Sequence, residues 1–418
     1  MELFLWRSER IIQTVRQWAP VGQKHAGRST RPAPSSPKRR VEFLVVVCVL
    51  GFLALADCAD PLRATWPTGD SGTDTGGVLG FAGAAGSGGS IETGERIPIA
   101  GTIVEFPIPT ARSGPVGITA GPDGNLWFTE FDGDNIGRVT PDGTITEFAL
   151  PAFSGATDIA AGADGNVWFT ERGSQRAPYS VLGGNNIGRI SPAGMITHFA
   201  VPTARSQPAG IAAAPGNGLW FTEAWAIQIG RIVGSDDVSS PAVTIKEYSV
   251  PSLANGLNGG PGYIAAGPDG NLWFTEYDAG RIGRMAPWGI VTEFPLPSAG
   301  GHPADITAGP DGNLWFTDPG ANSIGRISVT GSITEFPIPT AQSDLYAITA
   351  YGITAGPDGN LWFVEGQGNK LGRITPTGAI TEFLLPAAKS YPADITAGPD
   401  GNLWFTEGGS NKIGRITP

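Results

Sequence analysis

Seven carboxylates and seven guanidiniums recur in step along this chain, and they are the first groups that could do chemistry. Glu130, Glu171, Glu223, Glu276, Asp318, Glu365 and Glu407 close the text LWFTE or a variant of it. Arg138, Arg189, Arg231, Arg284, Arg326, Arg373 and Arg415 follow in IGRI or its like. A ring of acids could hold a metal ion or a cationic ligand. In six of the seven copies the acid and the Arg are eight residues apart, so a hairpin centred midway would make them a cross-strand ion pair worth roughly 0.2–1 kcal/mol. Every copy carries the same pair, so a structural role is expected ahead of a site. The Gly before each Arg, such as Gly137 and Gly414, is expected to admit a neighbouring Trp ring or backbone.

Histidine, the usual acid–base catalyst near neutral pH, occurs three times. His25 lies in a basic leader, and His198, in a place where other copies have Glu, is expected at a blade edge or in solvent. His302 precedes Pro303 at the entrance of an inner strand and is the best histidine candidate. No nucleophile elbow, paired catalytic carboxylates, zinc spacing or phosphate loop is present in the sequence.

These residues are positioned by a repeat. Trp127, Trp168, Trp220, Trp273, Trp315, Trp362 and Trp404 mark seven copies spaced by 41, 52, 53, 42, 47 and 42 residues. Each reads as four strands: ITAG, LWFTE, IGRIT and ITEFPLP. Their branched and aromatic residues are punctuated by Gly, Pro, Asp and Asn. Asp-Gly turns recur from Asp123-Gly124 to Asp400-Gly401, with Gly216-Asn217 in the third copy, and supply the positive backbone angles of tight hairpins. Four strands per unit of about 42 residues is the spacing of a propeller blade. The last copy stops after its third strand at Pro418, and an extra outer strand, TIVEFPI, stands at 102–108. The expected fold is therefore all-β, a seven-bladed β-propeller of four-stranded blades over 101–418 with the ring closed by the N-terminal strand. Closure removes the two unpaired edges that an open ring would leave, and a monomer is expected.

Of the 27 Lys/Arg and 38 Asp/Glu, 11 and 9 fall in residues 1–100, leaving 16 against 29 and a balance of −13 in the propeller. Nucleic acid is excluded as a partner, because phosphate binding needs the opposite sign. Residues 1–42 form a basic leader, and 43–58 contain the charge-free run FLVVVCVLGFLALA. Fourteen apolar residues after a basic flank suit a secretory signal or anchor better than a full span. Cys58 follows Leu55-Ala56-Asp57, which resembles a bacterial lipoprotein box except that Asp57 replaces a small residue. Lipidated and incidental cysteine are both open. Residues 59–100, rich in Gly, Ser and Thr, read as a flexible tether. The expected place is extracytoplasmic, membrane-tethered through the N-terminal segment or secreted. Extra residues at 172–185, 252–262 and 340–350 fall on the face where propellers bind ligands, and 234–242 on the other.

ITAGPDGNLWFTE with NKIGRITP resembles the repeat of the virginiamycin B (streptogramin B) lyases across 101–418. The resemblance implies a seven-bladed propeller that opens cyclic type B streptogramins by elimination across the ester C–O bond, with a histidine acid–base and Mg2+ held by glutamates. It also implies positions. The Pro-His-(Gly/Ala)-Ile pattern of the last two blades falls on Ala350-Tyr351-Gly352-Ile353 and Pro392-Ala393-Asp394-Ile395. A metal-binding Glu falls on Tyr391, a substrate-side Tyr on Val116, and a second metal Glu near Glu407. Elimination needs a base beside the substrate, and Tyr or Ala does not serve near neutrality.

The leading expectation is thus a propeller that binds a small molecule, peptide or cell-surface protein on a face lined by Tyr263, His302, Asp305, Tyr351, Tyr391 and Asp394. Lyase activity on streptogramins is expected to be weak or absent. The alternative is a Mg2+-dependent C–O lyase acting on streptogramins or another cyclic depsipeptide, with Glu407 at the metal.

Overall fold

The structure is a computed structural model that describes residues 100–173, 184–214, 218–234, 243–251, 260–340 and 352–418. The leader, the 43–58 segment with Cys58, the tether up to residue 99, Tyr351, the Gly216-Asn217 turn and most of the four insertions lie outside the described residues.

Seven four-stranded antiparallel sheets are present, and six take their strands in chain order. The seventh combines Pro392–Ala397, Leu403–Glu407 and Lys412–Ile416 with the distant strand Ile103–Pro107, whose Ile103 faces Ile416 and Pro107 faces Lys412. The inner strands of neighbouring blades touch one another all the way round, including blade 7 against blade 1. The ring is closed as the sequence predicts.

The core lies between blades. Trp127, Ile136 and Leu150 of blade 1 pack on Ile159, Val167, Phe169 and Ile190 of blade 2. Trp404 and Ile413 of blade 7 close on Ile118, Leu126, Phe128 and Val139 of blade 1. Six of the seven repeat tryptophans are fully buried and Trp220 nearly so; each burial contributes roughly 4–6 kcal/mol before ordering costs. The turn GPDGN explains how the indole is held. Asp123 accepts bonds from Trp127 Nε1 at 2.9 Å and from the Asn125 amide at 3.3 Å. Gly121 leaves room for the ring, since a Cβ there would lie 2.3 Å from Trp127 Cδ1. Only Gly124, at φ +76°, is in the left-handed region; the aspartate contributes its side chain, not a positive angle.

Two sequence expectations are corrected. Strand register puts Arg138 opposite Trp127 and Glu130 opposite Asn135, so the acid and Arg of a copy are not partners. The guanidinium instead lies 5.5 Å over Trp127 and 5.6 Å over Phe148, 3.9 Å from Asp123, and donates to Pro192 O in the next blade at 3.0 Å. The arginine ties blade to blade. Likewise, Gly137 faces Phe128 rather than a Trp, and a Cβ there would lie 2.0 Å from that ring.

Candidate functional site

Each inner strand enters the ring through one residue before its isoleucine. Aligning those isoleucines gives a column of Gly117, Asp158, Gly210, Tyr263, Asp305, Gly352 and Asp394. Asp158, Tyr263, Asp305 and Asp394, with Thr119 and Thr307, line an axial cavity of about 370 Å3. Three of the expected ligand-face residues, Tyr263, Asp305 and Asp394, are therefore brought together. Asp158 was missed, although the text ATDIAAG carries the same Asp-Ile signal as ADITAG.

The aspartates do structural work at the channel wall. Asp394 accepts from the amide of Ile395 at 2.7 Å and from that of Ile118 in blade 1 at 2.9 Å. Asp158 does the same for Ile159 and Ile211, and Asp305 for Ile306 and Ile353. Each carboxylate thus clasps its own blade to the next, which carries glycine in the column. A Cβ at Gly352 would lie 2.3 Å from Asp394 Oδ1. Behind this layer, buried threonines form a second belt: Thr406 Oγ1 accepts from the Asp394 amide and donates to Val116 O at 2.7 Å. Burial pushes Asp158 and Asp394 up to about 7, with repulsion from Asp394 adding to the shift of Asp158. Asp305 is raised well above the usual carboxylate range by burial and the neighbouring charges. The Tyr263 phenol is likewise raised by burial and by all three aspartates, while the Arg172 charge opposes the shift.

The upper face, which carries the loops joining strand two to three and strand four to the next blade, bears His302 and Tyr391. The His302 ring is half-buried, stacks on Tyr277 at 4.8 Å and places Nδ1 3.0 Å from Tyr277 O. Tyr391 holds a left-handed φ of 45°, and Gln207 one of 51°, at the position where blades 1 and 2 have Gly114 and Gly155. Arg172 Nη2 donates to Gln207 Oε1 at 3.0 Å across the boundary of blades 2 and 3. Neither Arg172 nor Gln207 was singled out from the sequence. Their signal is departure from the repeat, since the same places elsewhere hold Gly, Pro or Ala as often as a functional side chain.

The seven strand-ending acids are buried just below this face. Glu130 lies beside Glu147, and burial followed by that charge pushes it up to about 7. His198, expected at a blade edge or in solvent, lies in the outer strand of its blade and puts Nδ1 3.0 Å from Glu171 Oε2, taking the place that Glu147 has in blade 1. In blade 7, Ser410 Oγ donates to Glu407 Oε2 at 2.6 Å, and Glu407 Oε1 is buried without a partner. Tyr391 brings no carboxylate to it, Lys412 faces it across the strand pair, and no group of three His, Cys, Asp or Glu side chains suited to a metal is found among the described residues. The second carboxylate beside Glu407, Glu105, is taken by the Lys412 ammonium, and two carboxylates next to a cation are a poor donor set for Mg2+, so the residues present do not fit the metal expected at Glu407. Ala393 is buried at 4% exposure behind Asp394.

Fold and site together define a seven-bladed propeller that gathers polar side chains around an axial channel and its upper rim. A family model described as the Virginiamycin B lyase family matches residues 92–252 and 240–418. The chain belongs to the Virginiamycin B lyase family. A virginiamycin B lyase of Nocardia farcinica is 34% identical over 163 residues, 39% of this chain and 50% of that protein. One of Saccharopolyspora erythraea is 50% identical over 54 residues, 13% of this chain and 17% of its own length. The matched segments thus span half or less of these curated relatives. A solved streptogramin B lyase structure superposes with a TM-score of 0.66 and 35% identity over 76% of this chain and 97% of its own. A catalytically inactive His-to-Ala variant of virginiamycin B lyase from Staphylococcus aureus, solved with Quinupristin, gives the same TM-score and identity over 76% of this chain and 99% of its own.

Proposed function

We propose that this chain is an exported ligand-binding propeller of the family, with weak or no lyase activity on streptogramins. What carries the reading is the pair Tyr351 and Ala393, which fall where the resemblance to the family implies histidines. A buried alanine supplies no base to take the proton next to a carbonyl. The remaining histidines of the propeller are engaged elsewhere, His198 with Glu171 and His302 with Tyr277. Binding is supported by the axial cavity and the varied side chains on its rim. Export rests on the basic leader and the apolar run after it; a tagged full-length chain found in the cytoplasm would overturn that part.

The test is incubation of the purified propeller with a type B streptogramin and Mg2+, read by chromatography and fragment mass spectrometry, because elimination opens the ring without changing its mass. The expected result is no ring opening, with saturable binding. Ring opening that disappears in Glu407→Gln would establish the lyase alternative and a metal in blade 7. Neither opening nor binding would remove streptogramins from the list of ligands.

A further inference from the structure

Arg172 is a cation of the upper face that the described residues satisfy only in part. Its guanidinium is half-buried and makes one hydrogen bond, to Gln207 Oε1, and no ion pair among the described residues. Taking a guanidinium from water without a carboxylate partner is costly, because one neutral amide oxygen replaces little of its hydration. The same rim position supplies Phe131 in blade 1, Tyr277 in blade 4 and Gly408 in blade 7, so the repeat does not require a cation there. Gln207 is 4% exposed and is held in the left-handed region at φ 51°. Glycine would adopt that backbone without strain. Beside them stands Trp225, 53% exposed, on a loop fixed by bonds from the Ala224 amide to Gln207 O at 3.1 Å and from the Trp225 amide to Ser206 O at 2.9 Å. A half-buried guanidinium, an amide that orients it and an exposed indole whose turn is bonded to the segment of that amide thus share this part of the upper face.

We propose that Arg172, Gln207 and Trp225 form an anchoring site for a ligand carboxylate attached to an aromatic or apolar group, at the rim of the axial channel. The planar guanidinium offers the parallel N–H pair that a carboxylate takes, and the indole covers the adjoining apolar body. A monoanion is favoured over phosphate because the guanidinium of Arg172 balances one negative charge and its parallel N–H pair matches a planar carboxylate. The inference rests on the upper face being the ligand face. It does not depend on streptogramin being the ligand.

The experiment is calorimetric titration of the intact chain with N-acetyl-L-phenylalanine, its carboxamide and inorganic phosphate. The acid is expected to bind about tenfold or more tighter than the amide. Arg172→Met should erase that preference, and Arg172→Lys should keep part of it. Trp225→Ala should weaken acid and amide alike. Gln207→Glu places the protein's own carboxylate on the guanidinium, so it should abolish binding of the acid while raising Tm. Each variant is checked by thermal melting, and Gln207→Glu keeps the test open if Arg172→Met fails to fold. Equal binding of acid and amide, retention of the preference in Arg172→Met, phosphate binding tighter than the acid, or no binding of the acid at about 20 mM each overturns the proposal. Failure to bind streptogramin with success here would reject the former ligand and leave the anchor in place.

Discussion

A carboxylate buried beside a second carboxylate holds its proton to a higher pH than it does in the unfolded chain. Glu130, with Glu147 beside it, and Glu223, with Glu247 beside it, are both raised to about 7 from 4.5, chiefly by burial. Between those two values the folded protein binds more protons than the unfolded one, so stability falls as pH rises from the lower to the upper. Glu130→Gln removes one of these groups. Its stability, measured by denaturant unfolding from pH 4 to 8, should fall less steeply with pH than that of the native chain, with the largest gain at the alkaline end. An unchanged slope would mean that Glu130 is ionised in the fold. The same scale shows how motif letters acquire meaning: the Asp of GPDGN is a hydrogen-bond acceptor for its own blade's indole, and the Arg of IGRI lies over that indole and reaches the next blade.

Within a blade, the contact of Gly with Phe across the second and third strands recurs in all seven sheets. Each of Gly137, Gly188, Gly230, Gly283, Gly325, Gly372 and Gly414 would put a Cβ between 2.0 and 2.1 Å from a Phe ring. Those rings are buried core, so a methyl group has nowhere to go and the strand pair must part. Gly137→Ala should destabilise by about 1–3 kcal/mol, the range for overpacking a tight core, seen as a lower denaturation midpoint with little change in the slope. Pairing it with Phe128→Leu should recover part of the loss. If the double variant is no more stable than the single one, the ring is not what excludes the methyl. The expectation that an indole fills this space failed because sequence spacing gives which residues recur, not which of two alternating side chains faces the glycine.

Ring closure belongs to the whole molecule. Strand Ile103–Pro107 completes blade 7. The stretch after it is held by Asn411, whose Oδ1 accepts the Ser113 amide at 2.7 Å and whose Nδ2 donates to Thr110 O at 3.0 Å. A chain truncated to begin at Pro109 loses that strand and exposes the edge of Lys412–Ile416. It should melt at lower temperature and associate through the free edge, as size-exclusion chromatography with light scattering would show. A truncated chain that stays monomeric with native Tm would mean that three strands suffice for blade 7.

The sequence by itself determined the blade count, the closing strand, the Trp-based core and the family, because a repeat forces every copy into one backbone and a shared hydrophobic pattern leaves one way to bury it. Tertiary structure alone decided the partners. Whether Glu130 meets Arg138 or Asn135 depends on hairpin register, and a turn centred one or two residues away exchanges every pair. The junction of Asp394 with the amide of Ile118 spans 276 positions of chain, and that of Arg172 with Gln207 crosses a blade boundary. Blade packing sets both contacts, and they are what make the channel and its rim a place where a ligand could be held.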